Sequence, residues 1–263
     1  MSLPLLPEIL PFEVRSHIYK FLPNKTLALE IPEVFWGIAP HYFQVLSLGR
    51  KLRHGSDVLQ TEFARLYPTS GNFVKRLQIF TDPTIVHILK NFLNQFPPHR
   101  NLNHLCIVQS HIAGSSSSAS NLPYLEELVQ LINTSPELAR ISFDKVNPHD
   151  SLIRAASNRL TRLDIGQVYP NAEDFHVSLP PNLQILTITP FVVPKLIYRD
   201  ARKLQTLIIR ACDFTYGRFT QDLQILVSSC PALTNVGIID ICQLTHFVSF
   251  FFYLFVSLFF FSA

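Results

Sequence analysis

The sequence predicts an α/β protein: a short helical region at the N-terminus, then a repeat solenoid whose strands stack into a curved parallel sheet. Three observations predict it. An apolar pattern with strand spacing recurs along the middle of the chain, amphipathic stretches with helical spacing lie between some of the copies, and a proline-bounded amphipathic unit opens the chain. With 263 residues, 48% of them hydrophobic, there is material for one large core or two smaller ones.

The opening unit is LPFEVRSHIYKFLP, from Leu10 to Pro23. Val14, Ile18 and Leu22 recur every fourth residue and form one apolar stripe on a short helix, with Arg15, Ser16 and Lys20 on the remaining surface. Pro11 suits the helix start, Glu13 favours the positive end of the helix dipole, and Pro23 stops the next turn. Such an element serves either as a docking helix for another protein or as a cap over the first apolar edge of a repeat array.

The recurring pattern is an aliphatic residue, two variable positions, an aliphatic, one variable position, then an aliphatic or aromatic. It appears as VKRLQI (74–79), LNHLCI (102–107), LARISF (138–143), LTRLDI (160–165), LQILTI (183–188), LQTLII (204–209) and LTNVGI (233–238). Most intervals between copies fall in the range of leucine-rich repeats, whose LxxLxL stretch is one strand of a curved parallel sheet. In LTRLDI, Leu163 and Ile165 point to one face of the strand, Arg162 and Asp164 to the other, and Leu160 packs the turn entering it. One unit alone leaves its apolar face wet, so the copies must stack.

Two of the returns between strands read as helices. In NLPYLEELVQLINTSPEL, Leu122, Leu125, Leu128, Val129 and Ile132 recur at helical spacing behind Asn121 as a cap. In FTQDLQILVSSCPAL, Phe219, Leu223, Leu226 and Val227 do the same. Each helix ends at a residue–proline step, which cannot continue it. The intervals 160–183 and 183–204 leave no room for a full helix and predict extended chain or a single turn. GSSSSAS at 114–120 reads as a surface loop.

After Asp240 no charge remains, and the Phe-rich stretch 241–263 is long enough to cross a bilayer as a helix. It lacks the polar outer face of a terminal cap. Its Phe, Leu and Ser have pyrimidine-rich codons, and the repeat pattern stops just before it. The reading taken is translated non-coding sequence standing where further LxxLxL copies belong; the other reading is a tail anchor. The resulting organisation is 1–68, 69–240 with about seven repeats, and 241–263.

The chemistry the sequence lacks is as informative. With 22 Lys plus Arg against 19 Asp plus Glu, the net charge of +3 is far from that of a dedicated nucleic-acid binder. The four cysteines form no CxxC pair, and no disulfide framework or zinc site is expected. The N-terminus has no basic n-region ahead of its apolar residues, so a cytoplasmic or nuclear location is expected, or a membrane location if the tail anchors. Only eight glycines occur, and GRKLRHG at 49–55 has the wrong spacing for a phosphate-cradling loop. His99, His104 and His111 match no metal motif, and Glu126 and Glu127 are adjacent on a helix, where side chains diverge. No catalytic activity and no cofactor are expected.

Written as L-P-x-E-V-x-x-x-I-Y-x-x-L-P, the opening unit resembles the start of the F-box, the module by which substrate receptors attach to the Skp-type adaptor of SCF cullin ubiquitin ligases. The resemblance continues more loosely through VLSLGRKLRHGSDVLQTEFARLYP at 45–68, similar to the helix and following segment of fungal-type F-box proteins, and LVSSCPALTNVGI resembles a repeat phrase of that group. It implies that Leu10, Pro11, Glu13, Val14, Ile18 and Leu22 hold the first helix and face the adaptor, and that the repeats bind a protein substrate. The alternative is a leucine-rich-repeat scaffold without a ligase role. Aligning the copies puts Arg76, His104, Arg140 and Arg162 at one outward position on successive strands, followed by Ile185, Thr206 and Asn235. With strands about 4.8 Å apart this is a basic ladder. Asp144 and Asp164 are near enough to neutralise it. The four basic residues are the candidate ligands for an acidic or phosphorylated protein segment.

Overall fold

A computed structural model of the chain describes residues 44–48, 74–81, 101–109, 122, 124–166, 176–198, 201–210 and 216–239. The fold is mixed α/β around one open parallel sheet of eight strands. In chain order the elements are β1 (Val45–Leu48), β2 (Arg76–Thr81), β3 (His104–Gln109), α1 (Leu125–Asn133), β4 (Arg140–Asp144), α2 (Asp150–Ala155), β5 (Arg162–Ile165), β6 (Val177–Ser178) and β7 (Ile185–Ile188). They continue with a 3-10 helix (Pro190–Lys195), β8 (Leu196–Ile197), β9 (Thr206–Arg210), α3 (Tyr216–Ser229) and β10 (Asn235–Ile239). Strand order in the large sheet is β1-β2-β3-β4-β5-β7-β9-β10, and β6 and β8 form a separate parallel pair.

Register follows from the apolar pattern, because a one-residue slip would turn every apolar side chain outward. Leu77, Leu105, Ile141, Leu163, Leu186 and Leu207 lie at one level of the sheet, and Ile79, Ile107, Phe143, Ile165, Ile188 and Ile209 two residues further on. All twelve are buried in a single core. The strand entries share one further device: the carbonyl of the residue before a strand accepts two consecutive N–H groups from the entry of the next. It recurs seven times, at Gln44, Lys75, Asn103, Ala139, Thr161, Gln184 and Gln205, with distances of 2.8–3.1 Å. Each entry therefore satisfies its backbone through its neighbour.

The returns differ from one another because their apolar spacing differs. α1 buries Leu128, Leu131 and Ile132, carries Glu126 and Glu127 in its first turn, and closes with Ser135 Oγ donating to the Leu131 carbonyl. Tyr124, not Asn121, stands at its N-cap position and makes no side-chain cap. α3 covers the second predicted helix, with Leu223 and Leu226 buried. The two short intervals return as expected, by β6 in one and by the 3-10 helix and β8 in the other. α2 was not legible as a helix: DSLIRA has six residues, too few for a repeating stripe, and it is held by Leu152 and Ile153 in the core and by the Asp150–Arg154 ion pair.

One reading is corrected. Residues 45–48, matched in sequence to the start of an F-box-type helix, form β1, which pairs in register with β2. The physical reason lies in FQVLSL (43–48), which repeats the LxxLxL spacing with Phe43 in the first apolar place. The sheet thus starts ahead of residue 69 and has one strand more than the seven copies counted.

Candidate functional site

The register brings the predicted basic row together. Val45, Arg76, His104, Arg140, Arg162, Ile185, Thr206 and Asn235 are successive partners across the eight strands. Two residues along lies a second row that sequence reasoning did not single out, with Cys106, Ser142, Asp164 and Thr187 on adjacent strands. Period-two side-chain alternation puts both rows on the face opposite the core.

These rows hold one polar network. Arg140 Nε donates to Asp164 Oδ2 at 2.6 Å, and Arg162 Nε to Oδ1 at 3.1 Å. Ser142 Oγ donates to Asp164 Oδ2 at 3.0 Å, and His104 Nε2 lies 2.8 Å from Ser142 Oγ. A serine hydroxyl has one proton, and Asp164 takes it; His104 must therefore be the Nε2–H tautomer, donating to Ser142. Asp164 is only 6% exposed although it lies on the face opposite the core. Its burial is tolerated because these donors satisfy the carboxylate.

The charges follow from the same contacts. Burial pushes the Asp164 carboxyl up, but the hydrogen bond from Arg140 and the charges of Arg140 and Arg162 outweigh it and hold the group below its ordinary range. Burial, then the Arg140 and Arg76 guanidiniums, lower His104 to about 4, so the imidazole is neutral near pH 7. Burial also raises the Cys106 thiol, against the pull of Arg76 beside it. Arg76 Nε is buried with no hydrogen-bond partner, and Arg76 has no ion pair among the described residues.

The polarity of the network runs from imidazole to hydroxyl to carboxylate. A hydrolytic triad needs the reverse at its first step, with the imidazole accepting the serine proton. Here Ser142 donates to Asp164 and accepts from His104, so the imidazole is not placed to take its proton. No group of three or more His, Cys, Asp and Glu side chains able to hold a metal occurs among the described residues.

Leu10, Pro11, Glu13, Val14, Ile18 and Leu22 lie outside the described residues, as do Asn121, the GSSSSAS loop and the tail 241–263. Among the described residues no helix is long and apolar enough to cross a membrane. No protein-family model matches the chain, and a search of curated proteins finds no match either.

Proposed function

We propose that the chain is a non-enzymatic receptor, a leucine-rich-repeat solenoid that holds an acidic or phosphorylated segment of a protein substrate against the outward face of its sheet. The observation that carries this reading is the row Arg76, Arg140 and Arg162, aligned with the neutral His104 on four adjacent strands, in which one carboxylate, Asp164, compensates the last two guanidiniums and leaves Arg76 for a ligand. Guanidinium forks are suited to carboxylate and phosphate. The resemblance of Leu10–Pro23 to the F-box extends the proposal: this helix docks on the Skp-type adaptor of an SCF ligase, in the cytoplasm or nucleus, and the receptor acts by proximity.

The adaptor half is tested by co-purification of the full chain with a Skp-type adaptor. Replacing Ile18 and Leu22 together by Asp places charges on the apolar stripe, and loss of adaptor with the sheet still folded supports docking. Unchanged co-purification favours a second reading, a repeat scaffold without a ligase role, in which the N-terminal region caps the array. The pairing of β1 with β2 favours that second reading, because it carries the sheet into the region of the looser F-box match.

A further inference from the structure

The two outward rows change character abruptly at β7. From β2 to β5 the first row carries Arg76, His104, Arg140 and Arg162 and the second carries Asp164. From β7 to β10 the same two rows carry Ile185, Thr187, Thr206, Ile208, Asn235 and Gly237, with no charge. Ile185 and Ile208 are half-buried on this face, Asn235 is exposed, and a Cβ added at Gly237 would meet nothing within 4 Å. Arg210, exposed at the far end of β9, is four residues along from the first row. At the opposite edge Val45 is 53% exposed.

We infer that the bound segment is bipartite: an acidic or phosphorylated block over β2–β5 joined to an uncharged aliphatic block over β7–β10. This rests on the receptor reading above and adds the order of the ligand's chemistry. Three inter-strand steps span about 14 Å, the reach of about four extended residues. The three remaining steps, from β5 through β7 and β9 to β10, take about four more. The same boundary selects the class of partner. A nucleic acid carries charge at every unit, so a strand crossing all the rows would set phosphates over Ile185 and Ile208, where the two rows carry no cation and Arg210 at the strand end is the one guanidinium of β9. A protein segment can change from acidic to apolar within one residue.

The test uses fluorescein-labelled peptides of about eight residues and fluorescence anisotropy with the full chain. One peptide is all-acidic. A pair has an acidic block joined to an aliphatic block in either order, and a fourth has the same composition in alternation. The expected result is that the better block peptide binds at least tenfold tighter than the alternating one. Ile208→Gln should abolish most of that advantage and leave all-acidic binding unchanged, and Ile185→Gln provides a second variant. Equal binding of block and alternating peptides, with the all-acidic peptide still bound, overturns this inference and leaves the receptor reading standing. Failure of every acidic peptide removes the receptor reading and this inference with it. A uridine octanucleotide binding as tightly as the block peptide overturns the inference in favour of a polyanion site.

Discussion

Replacing His104 by Gln should flatten the acid limb of the stability profile. Gln keeps an N–H donor near the place of Nε2, so the 2.8 Å contact with Ser142 Oγ survives while the titrating group is removed. In the native chain His104 titrates at about 4 against 6.5 when unfolded. The unfolded state therefore binds the extra proton first: the contribution of the neutral imidazole is complete above pH 6.5 and is lost as pH falls toward 4. Two and a half units at about 1.4 kcal/mol each give about 3 kcal/mol over that window. His104 is 6% exposed, so solvent screening takes little from it. Urea unfolding followed by far-UV circular dichroism at several pH values between 7.5 and 4 measures the effect. The wild-type unfolding free energy should fall relative to the Gln variant by about that amount. Parallel curves would refute the reasoning, as would an imidazole resonance titrating near 6.5.

Asp164→Asn should lower the urea midpoint, because two guanidiniums lose their carboxylate; each is about one third exposed, which limits the loss to about 1–3 kcal/mol. Since the folded Asp164 pKa is lowered, its contribution is present above the ordinary carboxylate range and is lost only as pH falls below it, a window separate from that of His104. Arg76→Gln should weaken acidic-peptide binding several-fold with little change in urea midpoint, whereas Arg162→Gln should do the reverse; equal effects in both assays would contradict the division of roles. Gly166→Ala should destabilise, its Cβ arriving 3.0 Å from Asp144 Oδ1 and 3.1 Å from the Phe143 carbonyl oxygen, while Gly237→Ala should be neutral or stabilising by about 0.5 kcal/mol. Paired thermal melts check this contrast.

The strand phase was legible because burial on one face leaves no freedom of register. LTRLDI, with Leu160 packing the turn into the strand, can pack in only one way, and all three of its apolar side chains are fully buried. The basic row followed from that phase alone. What escaped had weaker or displaced signals. β1 was hidden by an aromatic residue in an aliphatic place, and α2 by its length. Ser142 was missed because a serine on an outward row is ordinary by itself. It becomes informative only when the row two residues beyond the arginines is also aligned, which sets it beside Asp164 on the next strand.

The network also decides where positive charge is available. Arginines on adjacent strands about 4.8 Å apart repel, and Asp164 lies within hydrogen-bond distance of both Arg140 and Arg162, so the crowded end of the ladder is compensated internally. Arg76 is three strands away from Asp164, about 14 Å, which exceeds the screening length of about 8 Å at physiological salt. Asp164 therefore does little for it. Between them His104 is neutral, so no fourth cation joins the row near pH 7. Two of the three guanidiniums thus serve mainly to bury a carboxylate that ties β4 to β5. The field open to an incoming anion is centred on Arg76, whose Nε is already desolvated and without a hydrogen-bond partner.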